Sequence, residues 1–156
     1  MKYLALIPLL VSLSNYCHAD FVAKVVGVTD GDTITVLDAQ KNQVRIRLAN
    51  IDAPEKNQPF GSRSKQALSD LVFNKYVYIK ESGFDKHNRM IATVMKGNDP
   101  INRIMVKDGF AWAYKEYLND PIILNLETYA KKNRVGLWQD PNPIYPSQWR
   151  RMQTQK

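Results

Sequence analysis

From residue 20 onward, apolar and polar positions alternate with a period of two through most of the first half of the chain. Residues 21–29 and 33–37 are rich in Val, Ile and Thr, side chains whose branching suits a pleated, half-buried surface. Between them Asp30-Gly31-Asp32 reads as a tight turn in which Gly31 supplies a positive φ. A second polar turn covers residues 38–43. Val44, Ile46 and Leu48 then alternate with Arg45, Arg47 and Ala49, so this strand turns its aliphatics to one face and both arginines to the other. Pro54 cannot join a central strand and ends it.

The period then lengthens. Ala67, Leu68, Leu71 and Val72 form one apolar stripe on a helix predicted over residues 62–75. Strands follow near residues 76–80 and 89–95, joined by a polar loop over 83–88. Asp99-Pro100 resembles a helix N-cap with Pro at the first helical position. Ile101, Ile104 and Met105 give that helix its buried side, and Gly109 suits its stop. The same opening recurs at Asp120-Pro121. The helix it starts is expected to bury Ile122, Leu126 and either Tyr129 or Ala130, and to stop near Gly136. Residues 140–156 carry three prolines and read as an irregular strap held by Trp138 and Trp149. Five short strands with a helix after the third predict an α+β protein, a five-stranded OB-type β-barrel with about three helices. Barrels of that type bind nucleic acids and oligosaccharides, an analogy that does not by itself assign a function.

The N-terminus stands apart from this pattern. Lys2 precedes an apolar run from Leu4 to Leu13, and Cys17-His18-Ala19 ends it as a small-x-small cleavage site. This is the form of a signal peptide, and the run is too short to span a membrane. Lipidation at Cys17 is the alternative, but Tyr16 is bulky where a lipobox takes a small residue. The expected organisation is a signal peptide over 1–19, one domain over 20–140 and a tail over 141–156. The expected location is secreted or periplasmic, as a monomer with no stable membrane insertion. Cleavage after Ala19 removes the single cysteine and leaves His87 as the last histidine. Disulfides, thiolate chemistry and a His/Cys zinc site are thereby excluded from the mature chain. With 156 residues and a formal net charge of +7, one core is affordable and the surface favours polyanions such as nucleic acid, anionic membrane or acidic glycans.

Asp32, Asp52 and Glu55 lie in loops at strand ends, where hard carboxylate oxygens suit Ca²⁺ or Mg²⁺. Singly, Asp-Gly-Asp is also an ordinary turn and Asp-x-Pro-Glu an ordinary loop. Arg47 can hold a phosphate through its planar fork of donors or form a structural ion pair. Arg45 shares its face, and spacing does not choose between the two. Arg89 stands equally between surface charge and phosphate ligand.

Together, and in order, Asp32 in Asp30-Gly31-Asp32-Thr33, the run Arg47-Leu48-Ala49-Asn50-Ile51-Asp52-Ala53-Pro54-Glu55, and Asp85-Lys86-His87-Asn88-Arg89 resemble the staphylococcal nuclease (thermonuclease) family. The resemblance runs from about residue 21 to residue 138, and Arg-x₄-Asp-x-Pro-Glu is its most specific part. It implies a Ca²⁺-dependent nuclease acting on both DNA and RNA. Asp32 and Asp52 would be carboxylate ligands of Ca²⁺, with the backbone carbonyl of Ala53 beside them where the family often has Thr. Glu55 would orient or deprotonate the attacking water. Arg47, chosen over Arg45 by the match, and Arg89 would hold the scissile phosphate. Lys86 matches a phosphate-binding lysine, His87 stands where a tyrosine commonly contacts a terminal phosphate, and Tyr114 and Tyr117 lie where stacking tyrosines are found. A nucleic-acid-binding module without catalysis would lack the acidic ligands or an arginine. An envelope- or carbohydrate-binding protein would need exposed aromatics more than paired arginines.

Overall fold

The computed structural model describes residues 20–155, so the signal peptide expected over 1–19 lies outside the described residues. The Val/Ile/Thr-rich segments form β1 (Phe21–Asp30), β2 (Thr33–Leu37) and β3 (Gln43–Leu48), an antiparallel meander. A two-residue strand, β4 (Ile51–Asp52), and helix α1 (Gly61–Val72) follow. Next come β5 (Tyr76–Phe84) and β6 (Met90–Lys96), with β5 pairing back onto β1. The sheet runs in the order β3-β2-β1-β5-β6, and β3 also pairs with β6 in parallel, which closes a five-stranded barrel. Closure leaves the barrel without free edges. Inward-facing Val25, Ile34, Val36, Ile46, Ile79 and Val94 are fully buried and form its filling.

Helix α1 covers one side through Leu68 and Val72, with Ala67 and Leu71 at the margin of the core, as the stripe predicts. It ends three residues before Lys75. β5, in contrast, runs past its predicted end through Gly83 to Phe84, with a register shift between Glu81 and Gly83 that lets the strand bend instead of stopping. Asp99-Pro100 is not a capped helix start: it forms β7, paired with Met95 and Lys96, and α2 (Ile101–Lys107) begins after it without a side-chain cap. The Asp99 backbone is used by the sheet, so its carboxylate is not placed for capping. Gly109 adopts φ 69° just past this helix, as its stop requires.

β8 (Trp112–Ala113) pairs with β4, and α3 (Pro121–Lys132) starts as expected, the Asp120 side chain accepting the Ile122 N–H. The buried face of α3 agrees with expectation at Ala130 and in part at Leu126, and differs at its first turn and at Glu127. Ile123, Glu127 and Ala130 are buried, Leu126 is partly buried, and Ile122 and Tyr129 are exposed. A buried glutamate explains why apolar periodicity missed part of the stripe. Glu127 accepts the Ala113 N–H and pairs with Lys131, so a polar residue occupies the centre of the inward face. The tail is not an irregular strap throughout. Trp138 packs edge-on against Trp112, Tyr145 does the same, and a fourth helix, α4 (Pro146–Thr154), follows with Pro at its first turn and Trp149 half-buried. Among the described residues no helix is long and apolar enough to cross a membrane.

Candidate active site

One end of the barrel carries an open cleft of about 990 Å³, and strand register decides what faces it. β2–β3 pairing sets Thr33 opposite Arg47, while the parallel β3–β6 contact sets Arg47 opposite Ile91. The side chain of Arg47 is thereby held between the turn at Asp32 and the segment entering β6 at Arg89. Leu48 N–H donates to the Asp32 carbonyl at 2.8 Å, tying that turn to the end of β3. Asn50 then takes a left-handed φ of 66°, which turns the chain into β4; Asn tolerates this region better than most residues. Asp52 pairs across to Trp112, and Tyr114 N–H donates to the Asn50 carbonyl. Buried Asn102 fixes the same corner, accepting the Val94 N–H and donating to the Ala49 and Ala92 carbonyls.

Gly31 is needed for closeness and not for the positive φ expected of it. A Cβ there would collide with Ser64 Oγ and with Ala53 Cβ, so the Asp30–Asp32 turn lies directly on α1 and on the Asp52 loop. Gly61 serves likewise beneath Glu55, whose carbonyl occupies the space of a Cβ.

Arg47 is the hub. Its Nη2 donates to Asp52 Oδ1 at 3.1 Å, and its Nη1 lies 2.7 Å from Asp32 Oδ2. That second contact is an ion pair without hydrogen-bond alignment. Burial opposes the charge on Arg47, but Asp32 and Asp52 outweigh it and hold the guanidinium protonated beyond its ordinary range. Asp32 also accepts the Ala53 N–H at 2.8 Å and the Thr33 hydroxyl. Asp52 is almost fully buried. Its carboxyl is pushed up to about 6, first by desolvation and then by the charge of Asp32, against the pull of Arg47 and Arg150. Asp30, absent from the sequence-based site, faces the same cleft and is raised by burial and by Asp32.

Around this centre lie the exchangeable groups. Arg89 is held by Asp85 at 2.7 Å and reaches the Thr33 hydroxyl at 3.4 Å. Glu55 is partly exposed at the mouth, its N–H accepted by Gln58 Oε1. Lys86 and His87 are exposed on one bank. On the other, the Tyr114 and Tyr117 rings lie 5.0 Å apart and tilted by 55°, and Arg47 sits 5.6 Å over the Tyr114 ring. All ten residues singled out in the sequence therefore border one cleft. Arg45 borders it too, but it is exposed, whereas Arg47 alone bridges the two aspartates.

Two further residues enter that the sequence did not mark. Asp30 was visible as the first acid of an Asp-x-Asp turn. Arg150, on α4, was not: it reaches Glu55 Oε1 at 2.6 Å and Asp52 Oδ2 at 3.3 Å from 95 residues or more along the chain.

Asp32, Asp52 and Asp30 crowd negative charge in a desolvated pocket, the chemistry of a hard divalent cation site. Among the described residues no group of three or more His, Cys, Asp or Glu side chains is placed to hold a metal ion by itself. The donor set fits an open site, in which backbone, water and substrate oxygens complete the coordination.

The chain was compared with known proteins. The family model described as "Staphylococcal nuclease homologue" matches residues 45–140. A protein of Haemophilus influenzae named "Uncharacterized endonuclease" is 49% identical over 130 residues, covering 83% of this chain and 73% of the relative. A "Micrococcal nuclease" of Shigella flexneri is 42% identical over 158 residues, covering 94% of this chain and 89% of the relative. "Protein ParB" of Escherichia coli is 43% identical over 144 residues, covering 85% and 81%. Closed barrel, cleft and relatives agree: the chain belongs to the staphylococcal nuclease family and is a hydrolytic nuclease.

Proposed function

We propose that the protein is a Ca²⁺-dependent phosphodiesterase that cleaves DNA and RNA with little sequence preference, exported by its first 19 residues and active as a monomer. The observation that carries the reading is Arg47, held between two aspartates in a cleft that a partly exposed glutamate also lines.

Asp32 and Asp52, with the Ala53 carbonyl, would hold the cation. When bound, Ca²⁺ neutralises phosphate charge and makes a nearby water more acidic. Arg47 and Arg89 then present planar donor forks to the nonbridging oxygens, where charge grows during attack. Neither needs to reorganise, because Asp32, Asp52 and Asp85 already hold them. Glu55 takes the proton of the attacking water or orients it. Lys86 and His87 contact flanking phosphate, and Tyr114 and Tyr117 offer ring faces to bases of any identity. The formal charge of +7, which falls to +6 once Lys2 leaves with the first 19 residues, gives a sequence-independent, salt-sensitive grip on the backbone.

The test pairs cleavage with binding. Plasmid nicking should require Ca²⁺ and stop in a calcium chelator. Glu55→Gln should slow it by roughly 10²–10⁴-fold while single-stranded DNA binding without Ca²⁺ stays near wild type. A folded wild type that binds DNA but never cuts with Ca²⁺ makes the chain a binding module instead. N-terminal sequencing of exported protein should begin at Asp20, and a retained lipidated Cys17 would overturn that part.

A further inference from the structure

We propose that Arg150 is a tethered counter-ion of the cation site: it neutralises Asp52 and Glu55 in the metal-free protein and is exchanged for the divalent cation. The inference rests on the cation reading above. Its ground is the division of the carboxylate oxygens. Asp52 Oδ1 is held by Arg47 at 3.1 Å and more loosely by Arg150 at 3.5 Å, while Asp52 Oδ2 is met by Arg150 at 3.3 Å. An oxygen engaged by a guanidinium is not free to ligate a cation. The same side chain holds Glu55 Oε1 at 2.6 Å, so one residue occupies a ligand and the water-directing carboxylate together.

The two arginines differ in how they are mounted. Arg47 stands on a barrel strand with 12% of its side chain exposed, and Arg150 on the last helix with 44% exposed. Arg150 can therefore leave without disturbing the core. Yet α4 does not dangle. Gln58, buried at 5% exposure, donates to the Ile144 carbonyl at 2.6 Å while its Oε1 accepts the Glu55 N–H. Tyr145 packs on Trp112, the residue paired with Asp52. The strap before α4 is thus fastened to both segments whose carboxylates Arg150 holds. This raises the local concentration of its guanidinium at the site without fixing the side chain rigidly. A unit positive charge a few ångströms from a cation site opposes cation binding whether or not the side chain moves.

The test is calorimetric titration of the full chain with Ca²⁺ alone, without nucleic acid. Arg150→Ala and Arg150→Gln should bind Ca²⁺ roughly tenfold more tightly than wild type, the order that one charge at this range is worth. Arg150→Lys keeps the charge and should stay near wild type. Hydrogen exchange adds a second readout. Ca²⁺ should speed amide exchange across Pro146–Thr154 in wild type, and Arg150→Ala should exchange at the fast rate without it. Unchanged or weaker Ca²⁺ binding by both neutral variants, with wild type binding normally, overturns this inference alone. Ca²⁺ binding by none of the proteins overturns the cation reading along with it.

Discussion

The wall of the cleft and its rim are built on different principles. The wall (Asp32, Arg47, Asp52) is buried and delivered by strand register, and its charges compensate one another. The rim (Glu55, Lys86, His87, Tyr117 and Arg150) is partly or fully exposed and delivered by loops and the last helix. In the wall, losing Arg47 leaves Asp32 buried without its ion pair, so function and folding are the same problem there. On the rim, water substitutes for a missing partner, and function can change while the fold does not.

The largest effect should come from the wall. Arg47→Met leaves Asp32 and Asp52 facing each other without the cation between them, with Arg150 alone remaining on Asp52. It should cost about 3–5 kcal/mol of stability in metal-free denaturant melts, and cleavage should fall by at least about 10²-fold. Glu55→Gln should match it in lost cleavage but melt like wild type. Equal melting of the two variants would erase the distinction between wall and rim.

Next is the polar brace behind the wall. Asn102→Ala strands the Val94 N–H and takes the amide donor from the Ala49 carbonyl inside the protein, while the Ala92 carbonyl keeps the Ala49 N–H. A stability loss of about 2–3 kcal/mol is expected, with cleavage reduced because the brace anchors the segment leading to Asp52. Unaltered kinetics in a destabilised variant would show that the brace supports the fold without positioning the site.

The pH dependence of the metal-free protein sharpens the same contrast. Asp52 titrates near 6 in the folded state, above its ordinary 3.8, so the fold favours the protonated form. Its contribution to stability is fully present below about 4 and is lost as pH rises through about 6. Asp85 is desolvated too, but hydrogen bonds from Arg89 and His87 hold it below the usual range, so its contribution fades only as pH falls below about 4. Metal-free melts from pH 4 to 8 should therefore decline, and Asp52→Asn should make the decline shallower, the remainder belonging to Asp30, which burial and then Asp32 push up to about 7. A rising profile would contradict the crowding of the wall.

The smallest structural effect belongs to the rim. Tyr117→Ala should change stability by less than about 0.5 kcal/mol. Affinity for single-stranded DNA should weaken, since one base stack is worth roughly 1–3 kcal/mol. A large loss of stability would place Tyr117 with the wall.

Much of this was legible along the chain. Val44, Ile46 and Leu48 announced β3, Asp120-Pro121 announced α3, and the ordered acids and arginines announced a site that the fold gathers into one cleft. Such features are local: alternation, capping and motif spacing act within a few residues. Other features were decided only by tertiary structure. Parallel closure of β3 on β6 separated Arg47 from Arg45, which period two treats as equals. The burial of Glu127 put a polar residue on the inward face of α3, and sheet pairing claimed Asp99-Pro100 from the helix it was expected to cap. No spacing rule connects Arg150 to Glu55, because that contact depends on Gln58, Trp112 and Tyr145 fastening the tail. The physical reason is common to all four. Local sequence sets the conformations a segment prefers, whereas the partner that satisfies a buried charge or an open backbone group is found only when distant segments meet.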